Sequence, residues 1–74
     1  MKLIDGDIGR DYTITDIRLE ENVKRRLEML GMTHNSRLSV MNRKGSGSFI
    51  IKVRGTRFAI GREFAEGIIV TEAQ

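Results

Sequence analysis

The 74-residue chain lacks cysteine and proline, and each absence excludes certain structural or functional features. Without cysteine there are no disulfides, thiolate metal ligands or thiol nucleophiles, a composition that suits a reducing compartment. Without proline there is no proline-rich linker or tail. No uninterrupted apolar run exceeds three residues, as at 49–51 and 68–70, so no segment predicts a membrane span or a signal peptide. We therefore expect a cytoplasmic protein without direct membrane insertion.

Acidic residues are missing from one long stretch of the chain. No Asp or Glu occurs between Arg37 and Arg62, although the formal net charge of the whole chain is only +3. The first 36 residues carry six basic and seven acidic side chains, whereas the remainder carries seven and three. Clustered cations raise the local potential and speed encounter with negative surfaces. The asymmetry indicates an anionic partner without identifying it.

The length and the local patterns predict one small, mainly β domain over residues 1–74. A chain this short buries roughly 60% of its unfolded surface around one core. Alternating or β-branched residues predict five short strands, the first bent near Asp16, at 12–17, 37–41, 49–54, 58–60 and 68–71. Such short strands favour closure into a barrel, which removes most sheet edges. The predicted fold is a small barrel of about five strands with one inserted α-helix.

The inserted helix is predicted over residues 20–30. Val23, Leu27 and Leu30 lie at helical spacing on one stripe. Gly31 follows where a helix stop needs a residue that adopts positive φ. The expected core therefore combines this stripe with alternate strand residues and Phe64 from a helical turn at 61–67: Ile14, Val23, Leu27, Leu30, Leu38, Val40, Phe49, Ile51, Val53, Phe58, Ile60, Phe64, Ile68 and Val70.

Catalytic and metal chemistry find no support in the residue pattern. His34, the only histidine, lies in a predicted turn without a nucleophile or an orienting carboxylate nearby. Asp5, Asp7 and Asp11 lack the spacing and terminal glutamate of a calcium loop and predict a solvated turn. We expect no enzyme activity, no cofactor and no metal site.

A basic hairpin is the strongest physical clue to function. Gly55-Thr56 between the third and fourth strands is typical of a type II′ turn, and the surrounding cations could contact phosphates on one side of a barrel: Arg37, Arg43, Lys44, Lys52, Arg54, Arg57 and Arg62. Single-strand binding usually needs exposed aromatic platforms, and three of the four aromatics are assigned to the core, which leaves only Tyr12. A nucleic acid, a protein partner and a merely solvated face all stay open.

Three stretches together resemble the FeoA family, ferrous iron transport protein A. They are residues 26–33 (RLEMLGMT), the Val-Arg-Gly-x-Arg hairpin at 53–57, and residues 58–65 (FAIGREFA). The resemblance covers nearly the whole chain, although His34-Asn35 stands where many members have Pro-Gly. Asn35 tolerates the left-handed conformation that such a turn needs.

The resemblance implies a short cytoplasmic domain with an SH3-like barrel. It implies an accessory role in bacterial ferrous iron uptake, with the FeoB permease as partner, contacted at its cytoplasmic GTP-binding region. Similar SH3-like domains also serve as regulatory modules in iron-dependent repressors, which is an alternative, as is a nucleic-acid-binding barrel. On the first hypothesis no nucleic acid is expected as partner, and charge and exposure select these contacts: Lys24, Arg25, Arg26, Met29, Met32, Arg54 and Arg57. A sharper version makes one arginine a finger that accelerates GTP hydrolysis.

Overall fold

The computed structural model describes residues 1–45 and 47–73 and shows one antiparallel sheet of five strands. Ser46, in the predicted Gly/Ser loop, and Gln74 lie outside the described residues. The elements in chain order are a 3-10 turn (Leu3–Asp5), β1 (Asp11–Ile17), α1 (Glu21–Met29), β2 (Arg37–Arg43), β3 (Phe49–Val53), β4 (Thr56–Ile60), α2 (Arg62–Gly67) and β5 (Ile68–Glu72). The mainly β architecture, with five strands and one main helix, is confirmed.

The strand order across the sheet is β4-β3-β2-β1-β5. The register of β1 against β5 shifts between Ile14 and Asp16, which is the bend that the slipped alternation predicts. The β5 edge is covered by the start of the chain, because Met1 and Val70 exchange backbone hydrogen bonds of 2.9 and 2.7 Å and Lys2 bridges to Ile69. Strand β4 forms the opposite edge of the sheet.

The core follows the predicted alternation within the strands. Burial in β3 alternates as expected, with Phe49, Ile51 and Val53 inside. Five further residues that were not assigned to the core are buried in it: Leu3, Tyr12, Ile17, Met32 and Ala65. Tyr12 is only 1% exposed, and its hydroxyl accepts a hydrogen bond of 2.7 Å from the Asp7 N–H. Its phenol therefore fills the core with its polar atom satisfied.

Four predicted core residues are not buried in the core. Leu30 is 48% exposed and Phe64 36% exposed, so their assignment to the core is wrong, while Val23 and Phe58 are only partly buried against the core. Leu30 is the residue that follows α1, and it stays on the stripe of Val23 and Leu27 but lines a surface cleft with them instead of entering the core. In the short helix α2 the buried residue is Ala65, whose small side chain permits closer packing than the phenyl ring of Phe64.

A Schellman motif ends α1 and redirects the chain into the core. Gly31 adopts φ +98°, as predicted for a helix stop. Its N–H donates to the Glu28 carbonyl at 3.0 Å, and the N–H of Met32 donates to the Leu27 carbonyl at 2.9 Å. These two bonds define the motif, in which the residue after the glycine commonly makes an apolar contact with the last helical turn. Met32 is accordingly fully buried.

Candidate partner-binding surface

The β3–β4 hairpin carries two of the predicted contact residues, Arg54 in the turn and Arg57 in β4. Val53 pairs with Thr56, so the loop consists of Arg54 and Gly55, with φ of +52° and +82°. Positive φ at both loop positions is the pattern of a type I′ turn, and the predicted type II′ turn at Gly55-Thr56 is wrong. A type I′ turn matches the right-handed twist of the flanking strands. Arg54 tolerates a conformation that is uncommon outside glycine.

The structure brings this turn against the end of α1. A Cβ atom placed on Gly31 would lie 3.4 Å from Cδ of Arg54 and 3.8 Å from Cγ1 of Val53. The Arg54 side chain therefore lies over the glycine that ends the helix. Met29, the last residue of α1, is 82% exposed. Two predicted contact regions that are far apart in sequence thus form one continuous surface.

Not all predicted contacts belong to that surface. Met32 is buried without exposure, so the expectation of an exposed apolar anchor there is wrong, and the Schellman motif is the reason. The three helix cations do not share a face, since successive helical residues are 100° apart. Arg26 lines a cleft beside β4. Lys24 is half-buried. The hydrogen bond from Arg18 is the main cause that lowers the pKa of the Asp16 carboxyl, and the charge of Lys24 adds a smaller contribution.

A row of four side chains crosses the outer face of the sheet. The register places Asp11, Ser39, Lys52 and Arg57 side by side on β1 to β4. Ser39 donates to Asp11 at 2.6 Å and Arg37 donates at 3.0 Å, and these two hydrogen bonds, Ser39's first, lower the pKa of the Asp11 carboxyl. The acidic end of the row is therefore neutralised within the domain.

The basic end of the row has no such compensation. Lys52 and Arg57 are directly opposite each other and exposed, an arrangement in which like charges destabilise a sheet. Among the described residues, 1–45 and 47–73, no carboxylate lies within 4 Å of the charged group of Lys52 or Arg57. Lys52 was predicted as one of the cations that could contact phosphates, but it was not among the residues predicted to contact a protein partner. The sheet face beside the turn thus presents uncompensated positive charge.

An apolar cleft lies on the other side of β4. It has a volume of about 170 Å³ and is lined by residues of α1, β4 and α2: Val23, Arg26, Leu27, Leu30, Phe58, Ala59, Ile60 and Phe64. The exposed portions of Leu30 and Phe64 belong to this cleft. Sequence analysis missed it because both residues were assigned to a closed core. A contiguous accessible apolar patch rimmed by polar residues is a candidate interaction site.

The remaining cations do not form one phosphate-binding face. Arg43 donates to the Gly6 carbonyl and stacks over the Phe49 ring, 5.1 Å from its centroid. Arg62 lies 3.5 Å from Glu66. A basic hollow at Arg43, Lys44 and Arg62 is separate from the hollow at Arg37, Lys52 and Arg54. The expectation that all seven cations lie on one side of the sheet is therefore wrong.

Aromatic platforms for nucleic-acid bases are scarce as well. Tyr12 and Phe49 are buried and Phe58 is half-buried, whereas Phe64 lies in the cleft. His34 is exposed in a turn held by Ser36, whose hydroxyl donates to the Gly31 carbonyl at 2.9 Å. Asn35 adopts φ +72°, as expected for this turn.

The described residues contain no cluster of three His, Cys, Asp or Glu side chains suited to a metal ion. No described helix is long and apolar enough to cross a membrane.

A curled five-stranded sheet with one main helix and a charged, partly apolar outer surface defines a small SH3-like domain. The family model of the FeoA domain matches residues 1–72. The chain belongs to the FeoA family, which is linked to ferrous iron transport.

Solved structures agree with this assignment. The FeoA protein from Chlorobium tepidum is 29% identical, with a TM-score of 0.93, over 100% of this chain and 71% of that one. The zinc complex of Stenotrophomonas maltophilia FeoA, described as an SH3 domain protein, is 22% identical, with a TM-score of 0.82, over 96% and 89%. A manganese-dependent transcriptional repressor shares the fold at 21% identity and a TM-score of 0.89, over 99% of this chain and 41% of the repressor. No curated protein matches the chain.

Proposed function

We propose that this chain is a small cytoplasmic accessory protein of ferrous iron uptake that binds and modulates the FeoB permease at its cytoplasmic GTP-binding region. Membership of the FeoA family supports the link to iron transport. One structural observation carries the choice of a protein partner. Arg54 lies over Gly31 at the end of α1, Met29 at that helix end is exposed, and Arg26, Leu27 and Leu30 of the same region line the apolar cleft, so that uncompensated charge and accessible apolar area meet at the end of α1.

The charged and the apolar parts of this surface would contribute to binding in different ways. Arg54 and Arg57 steer the domain to an acidic surface and orient it, because electrostatic complementarity acts mainly on association rate and specificity. Met29 and the cleft supply desolvated contacts, in which interface energy usually concentrates. Arg26, which lines the cleft, extends the positive rim, whereas Lys24 and Arg25 lie on other sides of α1 and contribute less. Nucleic acid is disfavoured as partner, since the cations are divided and the aromatics are largely buried.

The tests are an NMR titration of the isotope-labelled domain with the full-length permease in lipid nanodiscs and a measurement of the association rate of the two, both at about 0.05–0.3 M salt. We expect the double variant Arg54→Ala and Arg57→Ala to lower the association rate about tenfold at low salt, and shifts to cluster on the β3–β4 turn and the end of α1. Lys44→Ala removes one exposed charge from the other basic hollow and is the matched control. An unchanged association rate in the double variant, or absence of permease binding by the wild-type domain, would contradict the proposal.

The modulation has its own measurement. If Arg54 or Arg57 acted as an arginine finger, the domain at saturation would raise the rate of GTP hydrolysis by orders of magnitude, and alanine at that position would abolish the increase. Equal hydrolysis rates with and without the bound domain assign it a scaffolding role instead. The NMR titration repeated with mixed DNA or RNA in place of the permease would indicate nonspecific phosphate binding if it gave shifts that salt abolishes.

A further inference from the structure

The backbone of β4 has an open hydrogen-bonding edge. Residues that flank a two-residue hairpin turn exchange both backbone hydrogen bonds, and the pairing then alternates along the strand. Because Val53 and Thr56 flank the turn, Phe58 and Ile60 also direct their backbone groups toward β3. The N–H and C=O groups of Arg57 and Ala59 therefore point away from the sheet. Within the described ranges no other backbone group pairs with them.

The apolar cleft runs alongside this edge. Ala59, whose backbone groups are open, is one of its lining residues, and Leu30 at the end of α1 and Phe64 of α2 form its accessible walls. An apolar cavity of about 150 Å³ holds a benzene-sized molecule. The cleft, at about 170 Å³, therefore has room for one apolar side chain. A free strand edge and a side-chain pocket occur next to each other.

The charges around the edge select the kind of segment that fits. Arg26 lines the cleft and Arg57 lies on β4, and in the part of the chain that the structure describes neither forms an ion pair. No acidic residue occurs in β4. A second copy of this chain that paired β4 against β4 would bring like charges together. An acidic segment from another protein would meet opposite charges.

We propose that the β4 edge binds an extended acidic segment of a partner protein, which adds a strand beside β4 and places one apolar side chain in the cleft. Strand addition uses main-chain hydrogen bonds for affinity and pockets for alternate side chains for specificity. A helix seated in the cleft would leave the groups of Arg57 and Ala59 unpaired, so the open edge favours a strand. The inference deepens the proposed function, because it names the part of the surface that would take the permease.

Amide hydrogen exchange tests strand addition directly. The probe is a blocked octapeptide that alternates glutamate and valine around a central leucine, and its counterpart with lysine in place of glutamate is the charge control. At saturation with the acidic peptide we expect exchange at the Arg57 and Ala59 amides to slow at least about tenfold, since new backbone hydrogen bonds protect both. No protection at these two amides with millimolar acidic peptide, or equal protection with the lysine peptide, overturns the inference.

Two variants, each with a control, distinguish the contribution of the strand edge to peptide binding from that of the cleft. Ala59→Pro removes one outward N–H at an edge position that tolerates proline, and Ala59→Ser keeps that N–H. We expect peptide affinity to fall at least about fivefold in the first and little in the second. Leu30→Glu places charge in the cleft and should weaken binding about tenfold or more. Ile8→Glu, at another exposed apolar residue, is the control. Equal affinities in Ala59→Pro and Ala59→Ser, or in Leu30→Glu and Ile8→Glu, contradict the proposal.

The full-length permease is the second probe in the same exchange experiment. Permease binding that protects Arg57 and Ala59, and that Ala59→Pro weakens, supports both proposals. Permease binding with protection confined to other surfaces overturns the inference and leaves the permease as partner. If the permease does not bind while the acidic peptide still protects the two amides, the proposed function fails and the strand-addition site stands.

Discussion

Gly67, at the end of α2, is the glycine at which the surrounding atoms leave the least room for a side chain. A Cβ atom there would lie 2.3 Å from Cδ2 and 2.7 Å from Cγ of Leu19, and 2.9 Å from the carbonyl oxygen of Arg18. Leu19 is half-buried and can shift, but the Arg18 oxygen is backbone. The N–H of Arg18 also donates to the Gly67 carbonyl at 2.7 Å, which holds the two segments together. The segment between β1 and α1 would have to move to admit a methyl group.

The substitution Gly67→Ala should therefore destabilise the domain. Overpacking costs about 1–3 kcal/mol, while the smaller conformational entropy of the unfolded alanine chain offsets about 0.4–1 kcal/mol. We expect a net loss of about 1–2 kcal/mol in the free energy of unfolding, which corresponds to a Tm lowered by about 4–16 °C in a domain of this size. Urea unfolding followed by far-UV circular dichroism measures it.

Gly45→Ala is the matched control, because no atom lies within 4 Å of a Cβ at that position and its φ is not positive. We expect its free energy of unfolding to stay within about 0.5 kcal/mol of the wild-type value. If both alanine variants unfold at the same urea concentration, the close approach of Gly67 to the Arg18–Leu19 segment does not limit the packing, and the reasoning is refuted.

Three further predictions concern the helix end and the sheet. Met32→Ala should lower the free energy of unfolding by about 2–5 kcal/mol, and Met29→Ala should lower it by less than about 0.5 kcal/mol. Equal losses for the two variants in urea unfolding would contradict the different burial of the two residues. Gly31→Ala should cost about 1–2 kcal/mol because of its positive φ, and Gly31→Asn should cost clearly less; an equal loss would refute the conformational explanation. The pKa of Asp11 is lower in the folded than in the unfolded chain, so its stabilising contribution is present above about pH 4 and lost as the pH falls further. Asp11→Asn should make unfolding less pH-dependent between about pH 5 and 2, and an unchanged acid transition would contradict that assignment.

Sequence reasoning reached most of the fold because the strongest signals are local. Alternation fixed the faces of β3, and the slipped alternation near Asp16 marked the register shift against β5. Gly31 marked the helix end, since positive φ is a property of a single residue. Met32 was assigned to the surface, yet an apolar residue after a helix-ending glycine is a recognised part of the Schellman motif, so its burial was predictable from the same local rule.

The candidate site depended on contacts between distant segments. The sequence by itself determined a basic, acid-free stretch, an amphipathic helix with a glycine stop, a two-residue hairpin and short alternating strands, because spacing and residue type encode these. Only the tertiary structure decided that Arg54 lies over Gly31, that Lys52 faces Arg57, and that Leu30 and Phe64 line a cleft beside the open edge of β4. Local patterns specify which side chains are apolar or charged. Which of them a neighbouring element covers depends on how the whole sheet curls and where the helices come to rest.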